Sequence, residues 1–279
     1  MNLTSPSQVK AWCIDHGFHP NKVLGQNFLV DRNALEAIVD AAALPPGARV
    51  LEIGPGLGVL TEEMLRRGYA VTAIEKDPVL AERLAEALGN PPNLTIRADD
   101  ALDLIKYGFC DGFPALVSNL PYQAGTRILL ELTQRMGGTR SCASESGASA
   151  APETAVVLVQ TEVAERLAAG PGSKARGLAG VWVQLDYDVQ LVRAVKATCF
   201  WPRPEVGSTV VRLTRHNRND ARAPDWRARF RQITKQAFEH RRKQLGAIFK
   251  GLVQSTARAE QLSNADWIAF VDNLEPQGI

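Results

Sequence analysis

Asn119-Leu120-Pro121-Tyr122 puts a side-chain amide, a proline-stiffened backbone and an aromatic ring within four residues. The apolar run Ala115-Leu116-Val117-Ser118 before it reads as a buried strand. In an open α/β sheet, ligands sit outside the carboxyl ends of the strands. An amide placed there can hydrogen-bond to a flat, amino-bearing ring, and a tyrosine can stack on it. The chemistry suggested is a reaction at the exocyclic nitrogen of a base.

Two further strand ends carry matching chemistry. The run Leu51-Glu52-Ile53 leads into Gly54-Pro55-Gly56-Leu57-Gly58, where glycines let the backbone turn tightly beside a ligand. Glu75 closes the next strand, 17 residues after Gly58, where an acid can accept hydrogen bonds from both hydroxyls of a ribose. Asp100, at the end of the third strand, can accept from an adenine amino group. A glycine loop alone is also explained by a tight strand–helix turn. No Gly-Lys-Ser/Thr follows, so it is not a P-loop. A dinucleotide stays open, but the loop lacks the wider final glycine spacing of that fingerprint. Asp100 and the Asn119 segment fit S-adenosylmethionine better. Glu52 reads as a buried acid serving the glycine loop and is assigned no contact.

The elements that must hold these residues alternate from about residue 31. Asp31 caps a helix with Leu35, Ile38, Val39 and Ala42 on one face, ended by Pro45-Pro46-Gly47. Strands are predicted at 49–53, 70–74, 94–98 and 115–118, and a fifth at 155–159, with helices to residue 67, over 78–88, from 126 to 136 and over 162–168. Segments 189–195 and 209–213 read as a late antiparallel pair. Residues 137–153 are small and polar and read as a surface loop. After Arg215 the pattern is helical, with helices expected at 226–238, 240–252 and 266–274.

Composition sets the outer bounds. The chain has 279 residues, 45% of them hydrophobic and 22% charged, and no apolar run of membrane-spanning length. Met1–Lys10 lacks the apolar core of a secretory signal. Cys13, Cys110, Cys142 and Cys199 form no CxxC pair, and the four histidines have no ligand-like spacing, so no metal is expected and a reducing cytoplasm is the simplest setting. Charge is uneven. Residues 215–279 hold 12 Lys and Arg against 7 Asp and Glu, and the rest hold 20 against 23. A basic end suits a polyanion, although a solvated helical surface would look the same.

Five stretches, in order, carry a resemblance to a known family: Gly25-Gln26-Asn27-Phe28-Leu29, Leu51–Thr61, Asn119–Tyr122, Ala169-Gly170-Pro171-Gly172-Ser173-Lys174-Ala175, and Phe200-Trp201-Pro202-Arg203-Pro204-Glu205-Val206-Gly207-Ser208. Together, spanning 25–213, they resemble the ribosomal RNA adenine N6-dimethyltransferases. The Ala169–Ala175 run is similar to the branch acting on the bacterial small subunit, and unlike the antibiotic-resistance branch acting on large-subunit RNA. The resemblance implies a Rossmann-like α/β methyltransferase domain over 1–215 and a smaller all-helical domain over 216–279. It implies S-adenosylmethionine contacts at Asn27, Leu29, Gly54, Glu75, Asp100 and Asn119, to which the glycine loop adds Gly56. The implied reaction is two successive methylations on each of two adjacent adenosines in a hairpin near the 3′ end of 16S RNA, within an immature small subunit. A large-subunit RNA enzyme, or an assembly factor keeping the fold without catalysis, are the alternatives.

Under that reading, the adenine N6 hydrogens bond to the Asn119 side-chain oxygen and the Leu120 carbonyl, and the lone pair turns towards the methyl donor. Pro121 stiffens the segment, Tyr122 stacks on the base, and Phe200 stacks on another face. Lys174 and Arg176 are expected to reach the RNA backbone near the target. Arg241, Arg242 and Lys243, exposed on a helix whose Phe238, Leu245 and Phe249 face a core, are expected to meet phosphates. The lead-in with Lys10, Trp12, Asp15, His16 and Lys22 is less basic than family members usually carry. Thr161 stands where a lysine is common. A monomer is the default expectation.

Overall fold

The computed structural model describes residues 1–21, 25–110, 112–134, 151–216 and 218–274. Lys22 and residues 137–150 of the expected loop lie outside the described residues. Its last residues are placed, with Ala151 and Pro152 buried.

The chain opens with a helix that the sequence reading did not anticipate, α1 (Pro6–Asp15), with Ser5 at its N-cap and proline in its first turn. A two-residue strand, β1 (Phe28–Leu29), follows. In α2 (Arg32–Ala42), the Asp31 carboxylate accepts from Ala34 N–H, and Leu35, Ile38 and Val39 are buried as the periodicity predicts. Then come β2 (Arg49–Ile53), α3 (Val59–Arg66), β3 (Ala70–Glu75), α4 (Pro78–Leu88), β4 (Leu94–Ala98), α5 (Ala101–Lys106), β5 (Ala115–Asn119) and α6 (Gly125–Gln134). The second half continues with β6 (Thr154–Gln160), α7 (Thr161–Ala168), α8 (Leu178–Val183), β7 (Tyr187–Val195), β8 (Phe200–Trp201) and β9 (Ser208–Arg215).

Among the described residues, seven strands form one sheet in the order β4-β3-β2-β5-β6-β9-β7. The first five are parallel, and β9 and β7 add antiparallel. Central strands are apolar on both faces, as a sheet covered on both sides requires. One face, with Leu51, Ile53, Leu116 and Val157, packs against α5, α6 and α7. The other, with Val50, Val71, Val117 and Leu158, packs against α2, α3 and α4. This is a Rossmann-like α/β fold. The connection reverses between β2 and β5, which opens a crevice at their carboxyl ends. A second, two-stranded sheet pairs β1 with β8, setting Phe28 against Trp201 and Leu29 against Phe200.

The C-terminal part comprises α9 (Pro224–Glu239), α10 (Leu245–Ile248) and α11 (Asn264–Asn273) around the fully buried Trp267. Val181 and Leu185, at the end of α8, belong to the same apolar cluster. A buried ion pair ties the two parts: Arg227 on α9 meets Asp186 at 2.8 Å. Asn219 fastens the linker by donating to the Leu185 carbonyl and accepting from Arg227.

The single helix expected over 240–252 is absent. The backbone leaves α9 at Glu239, turns through 240–243 and pairs instead with residues 255–258. Gly246 N–H donates to the Ser255 carbonyl at 2.9 Å, and a Cβ at Gly246 would stand 2.8 Å from that oxygen. The close backbone approach that glycine permits thus displaces the helix. No helix among the described residues is long and apolar enough to cross a membrane.

Candidate active site

The carboxyl ends of β2, β3 and β5, the cap of α5 and the segment leading into β1 enclose one cavity. Asn27, Leu29, Gly54, Gly56, Glu75, Asp100 and Asn119 all line it, as do Leu120, Pro121 and Tyr122. Residues up to 95 positions apart in the chain are thereby gathered at one crevice.

The glycine turn sets the cavity's floor. Gly56 has φ +59°, and its N–H donates to Glu75 Oε2 at 3.0 Å. Gly58, at φ +87°, starts α3, and a Cβ there would lie 2.3 Å from the Leu84 side chain. Glu75 also accepts from Asp77 N–H at 2.9 Å through Oε1. Burial pushes its carboxyl up, and the backbone donors at Asp77, Gly56 and Lys76 pull it partly back.

Asp100 caps α5 through Leu102 N–H at 2.8 Å and pairs with Lys76 at 2.8 Å. Burial opposes its ionisation, but the Lys76 ammonium and the Leu102 amide outweigh it and hold the carboxyl below its ordinary range. Among the described residues lining the cavity, Lys76 is the sole cation against Glu52, Glu75, Asp99 and Asp100. Such a lining favours a ligand that carries positive charge and hydroxyl donors.

Asn119 closes β5. Its Nδ2 donates to the Asn27 carbonyl at 3.3 Å, which fixes the amide's orientation. Its Oδ1 is buried and has no partner among the described residues. An unpaired buried acceptor costs about 1–3 kcal/mol. At the rim of a cavity it marks the place of a missing donor. Tyr122 is held from behind: its hydroxyl pairs with Ser208 Oγ at 2.6 Å, and its ring meets Phe200 edge-on at 6.4 Å. Burial raises the phenol's pKa, with the Ser208 hydroxyl offsetting part.

Two expectations need correction. Phe200 is 3% exposed and is not part of the cavity lining, because pairing with Leu29 in the small sheet turns it into the core. It buttresses Tyr122 rather than facing a base. Arg176 is 0% exposed and cannot meet a phosphate. Its guanidinium donates to the carbonyls of Leu262 and Ala169, to Gln184 Oε1 and to Asn264 Oδ1. It bolts the 169–175 segment to the C-terminal helices.

The other basic residues remain at the surface. Lys174, Arg242 and Lys243 are exposed. Arg241 is half-buried, donates to the Lys174 carbonyl at 2.8 Å and lies 3.6 Å from Glu260. Phe238, Leu245 and Phe249 face the helical core as expected.

Sequence reasoning also missed several groups. Ser208 has no role legible in the sequence, where its signal is only its place after Pro204-Glu205-Val206-Gly207. Leu3 and Val9 bring α1 to the cavity wall. The Ser5-Pro6 pair would have announced that helix. Gln26 donates to Asp77 at 3.0 Å, linking the β1 lead-in to the N-cap of α4. No cluster of three or more His, Cys, Asp or Glu among the described residues is arranged to hold a metal ion.

Comparison with known proteins agrees with this arrangement. The family model for ribosomal RNA adenine dimethylase matches residues 17–275. The chain is 42% identical over 211 residues to the ribosomal RNA small subunit methyltransferase A of Deinococcus radiodurans, covering 76% of this chain and 67% of that protein. It is 38% identical over 270 residues to the enzyme of the same name from Nocardia farcinica, covering 93% and 86%. Among solved structures, a dimethyladenosine transferase from Plasmodium falciparum superimposes with a TM-score of 0.65 at 26% identity, covering 79% of this chain and 74% of that one. The 23S rRNA methyltransferase ErmE gives 0.63 at 25% identity, covering 89% and 99%.

Proposed function

We propose, on the premise that the chain belongs to the ribosomal RNA adenine dimethylase family, that it transfers methyl groups from S-adenosylmethionine to N6 of adenosines in small-subunit ribosomal RNA. The finer reading is dimethylation of two adjacent adenosines in a 3′-terminal hairpin of 16S RNA. The substrate is an immature small subunit in the cytoplasm, and the protein acts as a monomer. In this reading residues 1–215 carry the chemistry and 216–279 bind RNA.

The observation that carries the proposal is the buried, unpartnered Asn119 Oδ1 in a cavity with Glu75 and Asp100. The residues fit the donor. Glu75 would accept from its ribose hydroxyls and Asp100 from its adenine amino group, with Asn27, Leu29, Gly54 and Gly56 shaping the wall. When bound, S-adenosylmethionine supplies an electrophilic sulfonium methyl. The target N6 is a poor nucleophile, since its lone pair is delocalised into the ring. Asn119 Oδ1 and the Leu120 carbonyl accept its hydrogens and favour a pyramidal nitrogen with the lone pair free. Tyr122, braced by Ser208 and Phe200, stacks on the extruded base, and such stacking stabilises by about 1–3 kcal/mol. No strong base is needed, because the proton leaves after transfer. Positioning and electrostatics supply the rate.

The test is methylation of isolated, unmethylated small subunits with labelled donor, followed by mapping of modified adenines by mass spectrometry. Dimethyladenosines in the small-subunit RNA are expected. Modification of large-subunit RNA instead, or no transfer at all, rejects the reading.

A further inference from the structure

Glu52 lines the same cavity, yet the chemistry above leaves it unused. It is the fourth residue of β2, one residue ahead of the glycine turn, and 1% exposed. Its Oε2 accepts from Thr61 Oγ1 at 2.6 Å, and Thr61 is itself wholly buried in the first turn of α3. Among the described residues this hydroxyl is the only hydrogen-bond donor assigned to the carboxyl. The glycine loop, which the sequence suggested it would serve, gives its Gly56 N–H to Glu75 instead.

The charged groups around Glu52 are otherwise engaged. On β3, Glu75 is the one charge that reaches it. On α2, Asp31 caps the helix, Arg32 pairs with Glu36, and Asp40 pairs with Arg67. On α3, Glu63 pairs with Arg66 and Arg67, while Glu62 is exposed. Lys76 belongs to Asp100, and β5 offers no charge. Burial pushes the Glu52 carboxyl up to about 8, with the Thr61 hydroxyl pulling it partly back and the Glu75 carboxylate pushing it further. A buried acid without a cation holds its proton near neutrality, and a cation entering the same dry cavity favours its ionisation.

We propose that Glu52 is the counter-ion for the donor's positive charge. The cavity takes the cationic sulfonium donor with Glu52 as a carboxylate, and the uncharged thioether product with Glu52 as the acid. The inference rests on S-adenosylmethionine being the donor. On donor binding the Glu52 proton goes to solvent. In transfer the S–CH3 bond breaks with its electron pair left on sulfur, the N–CH3 bond forms, and N6 gives up a proton. Glu52 then takes a proton back, so each methyl transferred releases a single proton overall. The charge difference makes the site distinguish donor from spent product.

The experiment is calorimetry of the full chain with S-adenosylmethionine and with S-adenosylhomocysteine, at pH 7 in phosphate and in Tris, and from pH 6 to 9. Below about 8 the free protein holds the proton and must give it up, so donor affinity falls as pH falls, by up to about tenfold per unit. Donor binding is expected to release a proton, and product binding to release none and to stay flat with pH. Glu52→Gln should abolish the release and flatten the donor profile. Thr61→Val, which removes the carboxyl's donor, should move the profile to higher pH. Absence of proton release in the wild type, release persisting in Glu52→Gln, or an unmoved profile in Thr61→Val overturns the proposal. Failure of the wild type to bind the donor at any pH overturns the cofactor reading along with it.

Discussion

Asn119→Ala tests the centre of the mechanism. In the free protein the Asn119 amide makes one bond, from Nδ2 to the Asn27 carbonyl at 3.3 Å, and leaves Oδ1 buried and unpaired. Truncation therefore loses a weak bond and also removes an unsatisfied acceptor. These effects oppose each other, and the net change in stability should stay within about 1 kcal/mol. On the proposed mechanism the transition state is different, because N6 gains positive charge as the methyl transfers. A hydrogen bond to a charged group contributes about 1.5–3 kcal/mol, which is roughly 10- to 150-fold in rate. Loss of orientation adds to this, and removing one preorganised polar group commonly costs about 100- to 1,000-fold. Single-turnover transfer of labelled methyl to unmethylated small subunits, at saturating donor, should therefore slow by about two to three orders of magnitude. Subunit affinity and Tm should barely move. Asn119→Asp keeps an acceptor but faces the Asn27 carbonyl with an oxygen, and should fall between the two. Transfer by Asn119→Ala within about threefold of wild type would refute the reasoning.

Four further outcomes are expected. Glu75→Ala should weaken donor binding by about 10- to 100-fold in calorimetry, since it removes the charged acceptor and frees the Gly56 N–H. Arg176→Met leaves the Leu262 carbonyl and Asn264 Oδ1 without their donor, while the Ala169 carbonyl keeps only Gln184 Nε2, and should cost about 3 kcal/mol, seen as a Tm lower by roughly 6–12 °C. Tyr122→Phe loses the bond to the buried Ser208 hydroxyl and should cost about 1–2 kcal/mol by denaturant unfolding, while transfer survives far better than in Asn119→Ala. Reversing Arg242 and Lys243 to Glu should weaken subunit binding and reduce the log–log salt slope by about 1–2, and an unchanged slope would take both residues off the RNA surface.

The sheet was legible because its physics is local. Residues 49–53 and 94–98 are strands to the residue, and Asp31 caps α2 as read. Apolar runs between turn residues leave a parallel strand little freedom. The strand-end acids and Asn119 were legible for a related reason: they punctuate those runs with polar groups that a buried strand would otherwise exclude. What could not be read is what depends on distant partners. Arg176 looks like a surface cation in a polar Gly-Pro-Gly-Ser segment, and only the arrival of Leu262 and Asn264, more than 80 residues later, turns it into a buried bolt. Gly246 looks like a tolerable helix residue until Ser255 packs against it.

The same logic explains how the target side of the cavity is built. Parallel strands deliver Glu75, Asp100 and Asn119 to one edge, but they cannot supply a wall opposite them. That wall comes from joining two segments about 170 residues apart, Phe28-Leu29 and Phe200-Trp201, in a ladder of two residue pairs. A ladder so short is marginal alone, so it is held by apolar neighbours: Phe28 stacks on Trp201, and Phe18 meets Phe28 at a tilt. The consequence is directional. Leu29 is drawn to the donor side, its partner Phe200 is turned inward against Tyr122, and Ser208, eight residues on, pins the Tyr122 hydroxyl. Leu29 on the cavity wall and the Tyr122 ring, the proposed donor wall and base-stacking ring, are therefore positioned by one small sheet. A substitution that opens it, such as Phe200→Ala, should loosen both ligands together, raising the apparent KM for donor and for RNA in the same variant, where a cavity in the core alone would lower only Tm.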